Sequence, residues 1–563
     1  MTASAAGRLA ALRPQVEAWL AADPDPATRA ELEELLAAGD AEGLNDRFAA
    51  PLQFGTAGLR GEVGAGPARM NRAVVRRTTA GVARWVIGRG PDAVAAGVVV
   101  GRDARHGSAQ FAADVAEVLT SFGVPALVLS QPLPTPITAF AVRQLAAAAG
   151  VVVTASHNPA ADNGYKVYAG DGAQIIPPDD ELIATAADAP PDPPAGTATA
   201  ERRVIDDAVL AGYREAALGL LEPGGPRALR AVYTPLHGVG GAVVPGLLAA
   251  AGFDPPQLVS EQFEPDPDFP TVSFPNPEEP GALDLAIAAA RRGGAEVVLA
   301  NDPDADRLAV AVADRDGRWR ALTGDELGIL IADRCLAATS GPGRLVATTV
   351  VSSSMLSKLA AEAGIAYAET LTGFKWIARA ARQRPGYRLV FGYEEALGYT
   401  IGDVVADKDG MSAALVVAEM AARARAEGQG LLDRLDQLSA RLGVHLTSQW
   451  SLRADGRSGM DDLAAVVAGW RADPPRDLGG LAVSEVVDLA DGVGGLPPTD
   501  ALVLRLGGRG RVVLRPSGTE PKLKAYLEVT TEPPGLDGLA DAREAASQRL
   551  DTLRADVAAR CQL

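Results

Sequence analysis

A serine hydroxyl beside an imidazole and an amide stands in the hexapeptide TASHNP at 154–159. The apolar run Gly150-Val151-Val152-Val153 precedes it, so Ser156 falls on a loop at the carboxyl end of a predicted buried strand, where open α/β sheets collect ligands. A free serine is a poor nucleophile and no GxSxG elbow surrounds this one, which disfavours acyl hydrolysis. His157 can act as a base titrating near neutrality or as a hydrogen-bonded holder of the loop. A second loop, NDPDADR at 301–307, spaces Asp302, Asp304 and Asp306 alternately and ends on Arg307. Three hard oxygen donors in five residues suit Mg²⁺ or Ca²⁺, although such a turn can also be merely solvated. An EF-hand would need Gly and Glu where this chain has Arg307 and Ala313, so that loop is excluded. Mg²⁺ is preferred, because it keeps open positions for phosphate oxygens.

RPSGTEPKLK at 515–524 combines Arg515, Ser517, Gly518, Thr519 and Lys522. Bidentate guanidinium donors, hydroxyls and close backbone approach at glycine suit a phosphate, and an ordinary hairpin turn is the other reading. GYEEALG at 392–398 presents Glu394 and Glu395, acceptors for the vicinal hydroxyls of a polyol or simply acidic residues opening a helix. FGTAGLRGEVG and GRDAR add Arg60 and Arg105 near glycine-rich turns, and TGFK offers Thr372, Gly373 and Lys375. Of 53 basic residues only six are lysine, and Lys166, Lys375, Lys408, Lys522 and Lys524 fall in or beside candidate site loops, Lys408 in the stretch ADKDG at 406–410. Where arginine has replaced lysine almost everywhere, surviving lysines mark places that need a compact ammonium charge.

The elements that must carry these loops follow from the hydrophobic pattern. Apolar runs at 98–100, 126–129 and 151–153, with helical spacing at 108–122 and 136–148 between them, predict βαβ units and a largely parallel sheet. Helical spacing over 6–38 predicts a lead-in, and the Pro- and Ala-rich stretch 188–199 a surface excursion. Strands are expected at 229–233, 296–300, 308–313, 344–350 and 387–391, with helices near 239–251 and 281–292. From about residue 448 strands at 481–489, 501–506, 511–514 and 523–529 run with few helices between, an α+β pattern. At 563 residues several domains are expected, and 47% hydrophobic residues can fill their cores. A net charge of −18 argues against nucleic-acid and anionic-membrane partners. Cys335 and Cys561 form no zinc or disulfide pattern, and neither a signal peptide nor a membrane span is evident, so a cytoplasmic location is expected.

TASHNP, DPDADR, GYEEALG and RPSGTEPK, in this order and about a domain apart, resemble the α-D-phosphohexomutase superfamily over roughly residues 50–530. FGTAGLRGEVGAG and TPLHGVGG at 234–241 most resemble its branch of phosphoglucomutase type 2, phosphomannomutases and phosphopentomutases. The resemblance implies an α/β fold of four domains around a central cleft, three of related mixed-sheet type and a C-terminal α+β domain like the TATA-binding protein. On this chain that divides as a helical lead-in 1–45, domain I 46–208, domain II 209–322, domain III 323–446 and domain IV 447–563. It implies reversible exchange of hexose 1-phosphate and hexose 6-phosphate through phosphorylated Ser156 and a hexose 1,6-bisphosphate, with glucose expected first, mannose second and a pentose third. Ser156, Asp302, Asp304 and Asp306 would hold Mg²⁺, and Ser156, His157, Lys166 and Arg60 would be catalytic. Arg105, Arg307, Thr372, Gly373, Lys375, Glu394, Glu395, Lys408, Arg515, Ser517, Gly518, Thr519 and Lys522 would bind the phosphosugar. Some relatives carry His where this chain has Tyr399, which leaves the general base and the sugar open. A Mg²⁺-dependent phosphatase and a sugar-phosphate sensor are the other classes considered. A monomer or homodimer is expected.

Overall fold

The structure is a computed structural model that describes residues 5–55, 58–454, 459–516 and 522–561. It divides into two compact units, the first Met1–Pro223, Arg227–Ala311 and Asp403–Ala418, the second Gly224–Pro226, Val312–Gly402 and Glu419–Leu563.

In the first unit, unbroken Val-rich runs make central strands buried on both faces. Val98–Arg102 pairs in parallel with Ala126–Leu129 and Ala149–Val153, and the helices Ser108–Ser121 and Thr135–Gln144 return the chain between them. The sheet is mixed but largely parallel, with one of its six strands reversed. Asp162–Ala169 runs antiparallel to Ala149–Val153, Leu59–Glu62 runs antiparallel to it at one edge, and Arg202–Ile205 closes the other edge. Strand alternation sends Tyr165 and Val167 into the core under the helix Arg72–Gly88, where the Tyr165 hydroxyl meets Thr79 Oγ1 at 2.9 Å. Lys166 and Tyr168 therefore point to the opposite face.

A second sheet of this unit lines up Leu308–Ala313, Val297–Asn301, Ala231–Thr234 and Gln257–Leu258. Leu308 pairs with Asn301, so residues 302–307 form a closed hairpin loop with Ala305 in the left-handed region. The predicted helix at 239–251 is a 3-10 turn, Val239–Ala242, followed by Val244–Ala250. Ahead of the sheets, Ala5–Ala22, Pro26–Ala38 and Ala41–Phe48 pack around Val16, Leu32, Leu44 and Ala65. No helix among the described residues is long and apolar enough to cross a membrane.

Among the described residues the second unit holds two larger sheets and a two-stranded one, Asp477–Leu478 with Leu481–Ala482. The first orders Ala366–Thr370, Arg344–Thr349, Arg388–Glu394 and Gly398–Ile401, beside the helix Gly324–Ala338, which starts in a capping box between Thr323 and Glu326. The C-terminal sheet, His445–Arg453, Lys522–Thr530, Gly510–Pro516, Leu502–Arg505 and Glu485–Asp488, is antiparallel throughout. Its apolar face, including Val512, Leu514, Leu523 and Leu527, packs on the helices Gly459–Ala472 and Leu539–Arg560 through Leu463, Trp470 and Leu553. The single strand expected at 481–489 is broken into Leu481–Ala482 and Glu485–Asp488.

Candidate active site

Ser156 stands three residues past the end of its strand, 1% exposed and in the left-handed region at φ 53°. That backbone is strained for a residue with a Cβ and persists only where its surroundings fix it. Thr154 Oγ1 accepts from the Ser156 amide at 2.9 Å, and Arg105 holds the rest of the loop. The Arg105 guanidinium donates to four carbonyls, those of Ser156 at 2.7 Å, Asn158 at 2.5 Å, Pro159 at 2.7 Å and Asp162 at 3.1 Å, and lies 4.9 Å over the Phe269 ring. Arg105, expected to bind substrate, thus meets the backbone of the serine loop. Arg60 donates to Asn158 Oδ1 at 3.1 Å.

The Ser156 hydroxyl donates to Asp302 Oδ2 at 3.0 Å and lies 3.2 Å from His157 Nδ1. Burial, then Arg307 and Arg60, push the His157 imidazole well below its ordinary value, so the ring is neutral at physiological pH. Asp302, Asp304 and Asp306 are fully buried, with one oxygen of each within 4.8 Å of the others. Lys166 crosses from the first sheet and donates to Asp304 Oδ2 at 2.8 Å and Asp306 Oδ2 at 3.0 Å. Lys408 Nζ lies 3.3 Å from Asp306, and Thr135 Oγ1 donates to Asp304 at 2.7 Å. Burial and the two neighbouring carboxylates push Asp302 up, whereas Asp304 and Asp306, despite burial, are held down chiefly by Lys166. Asp304 Oδ1 and Asp306 Oδ1 are buried without a hydrogen-bond donor among the described residues. Bare carboxylate oxygens are costly to bury unless a cation faces them, so this loop fits a hard divalent ion.

In the second unit, the two loops expected to meet a sugar come together. Gly373, at φ 106°, donates its amide to Glu394 Oε1 at 2.7 Å, so TGFK and GYEEALG share one hydrogen bond. Glu395 Oε2 accepts from Ser352 Oγ at 2.9 Å, and burial, then Glu394 and Asp325, push its carboxyl up to about 7. Arg515 is the penultimate residue of the strand Gly510–Pro516 and Lys522 opens the strand Lys522–Thr530. Ser517, Gly518 and Thr519 lie outside the described residues. Burial, then Glu395, raise the Tyr526 phenol, while Arg515 opposes, which places these groups in one electrostatic neighbourhood.

Residues 51–192, 213–317, 323–440 and 472–546 match, in turn, the alpha/beta/alpha domains I, II and III and the C-terminal domain of the phosphoglucomutase/phosphomannomutase family. The chain belongs to the phosphoglucomutase/phosphomannomutase family. It is accordingly a four-domain phosphosugar mutase, an isomerase. A probable phosphomannomutase of Haemophilus influenzae is 39% identical over 475 residues, covering 83% of this chain and 94% of that one. A phosphopentomutase of Mus musculus is 35% identical over 574 residues, covering 94% and 92%. A solved phosphoglucomutase/phosphomannomutase family protein of Burkholderia thailandensis shares the fold at TM-score 0.69 and 23% identity, over 90% of this chain and 97% of that one.

Several groups of this mutase that complete the site are not among the candidate residues that the sequence points to. Thr135 sits at the head of an amphipathic helix and carries no signal of its own. ADKDG was noted for Lys408, yet its flanking aspartates are as engaged: Asp407 accepts from Tyr168 and Gln174 at 2.8 Å each, and Asp409 from Tyr213 at 2.8 Å. TPLHGVGG backs the aspartate loop, with Val239 N donating to Pro303 O at 2.8 Å. His237 bonds Thr271 and His106 pairs with Asp268 at the surface, whereas His445, given no role from sequence, is buried against Glu528.

Proposed function

We propose that the mutase interconverts hexose 1-phosphate and hexose 6-phosphate, glucose before mannose, through a phosphorylated Ser156 and a hexose 1,6-bisphosphate. The observation that carries this reading is the Ser156 hydroxyl seated 3.0 Å from Asp302 beside a buried, partly donor-free carboxylate cluster. A phosphoryl group on Ser156 Oγ passes to a sugar hydroxyl: the Oγ–P bond breaks, the sugar O–P bond forms, and the hydroxyl proton passes through a base to the released Ser156 Oγ. His157, Lys166 and Arg60 are the basic groups at this loop, and burial, with Arg307 and Arg60 nearby, favours the unprotonated form of the His157 imidazole. Mg²⁺ among Asp302, Asp304, Asp306 and the serine phosphate would supply charge neutralisation for the transfer. Arg307 and Lys408 add positive charge to that end, and Arg105 fixes the loop that presents it. Glu394 and Glu395, with Thr372, Gly373 and Lys375 beside them, would take the sugar hydroxyls. Arg515 and Lys522, with Ser517, Gly518 and Thr519, would hold the phosphate that is not reacting.

The bisphosphate then returns its other phosphate to Ser156, so it serves both as intermediate and as activator of unphosphorylated enzyme. The reading includes a cytoplasmic location and a monomer or homodimer.

Ser156→Ala should lower isomerisation by at least about 10⁴-fold while sugar-phosphate binding persists, because only the transferred group loses its carrier. Intact mass should show one phosphate on part of the purified protein and none on the variant. Turnover unimpaired by Ser156→Ala would remove Ser156 from the mechanism. A pentose reading is favoured by one observation, the match of the mouse phosphopentomutase across 94% of this chain. Comparing kcat/KM on glucose 1-phosphate, mannose 1-phosphate and ribose 1-phosphate decides between them: the highest value on ribose 1-phosphate would replace the hexose reading.

A further inference from the structure

One rung of the C-terminal sheet seats the loop that holds Glu395. Thr447 pairs with Glu528 across one strand boundary and Glu528 with Arg511 across the next, so the three side chains form a row on one face. Glu528 and Arg511 reach the loop 352–354 after the strand Arg344–Thr349 directly, and Thr447 reaches it through Asp325 of the helix Gly324–Ala338. Thr447 Oγ1 donates to Asp325 Oδ2 at 2.8 Å, and Asp325 Oδ1 accepts from Ser353 N at 2.6 Å and from Tyr393 OH at 3.0 Å. Glu528 Oε1 accepts from Ser353 Oγ at 2.9 Å and Ser354 N at 2.7 Å. Arg511 donates to Ser352 O while pairing with Glu369 at 2.9 Å and Glu528 at 3.2 Å. The other side of Ser352 meets the candidate sugar loop, its hydroxyl donating to Glu395 Oε2 and lying 3.2 Å from the Glu395 amide nitrogen, which donates to it.

We propose that Arg511 and Glu528 are positioning residues that, through the serine triplet 352–354, fix the Glu395 carboxylate. The assignment rests on the reading of Glu395 as a sugar contact. The row is buried and charged: Arg511 is 6% and Glu528 2% exposed. Apolar residues would fill that space as well, and buried ion pairs commonly add little net stability, so a role in placing a neighbour explains them better than bulk packing does. A planar guanidinium is suited to this post, since its fork serves a carbonyl and two carboxylates at once, which an ammonium cannot do in one plane.

The test is a cycle of Arg511→Met, Arg511→Lys and Glu395→Gln, read as KM and kcat and as hydrogen exchange over residues 392–398. Arg511→Met should raise KM about ten-fold, the loss of one charge-assisted hydrogen bond, with kcat less affected. In the Glu395→Gln background the same substitution should add little, and Arg511→Lys should recover part of the effect. Exchange should quicken at 392–398 and leave the helix Leu539–Arg560 as protected as before. Equal effects of Arg511→Met in both backgrounds, or unchanged exchange at 392–398, would overturn the proposal. If Arg511→Met fails to fold, Ser352→Ala carries the same criteria, because it cuts the link while leaving the ion pairs. Faster exchange at 392–398 with no change of KM on Glu395→Gln would keep the positioning role and sink the sugar contact.

Discussion

Glu395 departs furthest from the ordinary behaviour of its type among the candidate sugar contacts. Its carboxyl titrates near 7 because it is buried and faces Glu394 and Asp325. The folded chain therefore binds this proton more tightly than the unfolded chain, where a glutamate titrates near ~4.3. Stability should fall as pH rises through the window from about 4.5 to 7 and level off above it, a loss of roughly 2–4 kcal/mol at most. Glu395→Gln should flatten that part of the curve in thermal melts at pH 5 and pH 8; an unchanged slope would assign it to another group. Residue type alone was informative for lysine and less so for arginine. The scarcity of lysine singled out Lys166 and Lys408, and both end on Asp306. Arg105 looked the same in sequence as Arg60, yet its fork is turned to backbone carbonyls, because a guanidinium's target depends on which loop folds over it.

Elements read well where one period dominates. Val98–Arg102, Ala126–Leu129 and Ala149–Val153 are continuous apolar runs, and all three are central strands of the first sheet. Leu59–Glu62, Arg202–Ile205, Ala366–Thr370 and Gly398–Ile401 were not legible: all lie at sheet edges, and none is a continuous apolar run in the sequence. The antiparallel strand Asp162–Ala169 was not legible either, since the face that carries Lys166 is buried as well as the apolar one. Glycines show how closely these elements support the site. A Cβ on Gly238 would lie 2.2 Å from Pro303 Cα, backbone of the aspartate loop, whereas one on Gly246, in the helix Val244–Ala250, meets open space. Gly238→Ala should destabilise by about 1–3 kcal/mol and depress activity with it. Gly246→Ala should stabilise by up to about 1 kcal/mol and leave activity unchanged. Chemical denaturation of both variants checks the contrast, and equal effects would mean the loop yields without cost.

At the scale of the whole molecule, the order of the motifs was legible, and four family domains follow it. The return of residues 403–418 to the first unit was not, because nothing local in ADKDG says which unit its neighbours will join. That segment supplies Asp407 to Tyr168, Asp409 to Tyr213 and Lys408 to Asp306. A chain ending at Ala311 would carry the serine and all three aspartates but leave Tyr168 and Tyr213 without these carboxylates and Asp306 with Lys166 but without Lys408. At about 1–3 kcal/mol each, such losses consume much of a domain's ~5–15 kcal/mol. The fragment should melt broadly and below the full chain by circular dichroism; a sharp transition at the full chain's temperature would contradict this. The same discontinuity sets a timetable for synthesis. At about 5–20 residues per second, residues 312–402 take on the order of five to twenty seconds to leave the ribosome. Throughout that interval the nascent aspartate loop waits for Lys408, so the speed of elongation between codons 312 and 402 decides how long a half-built reaction centre is exposed to the crowded cell.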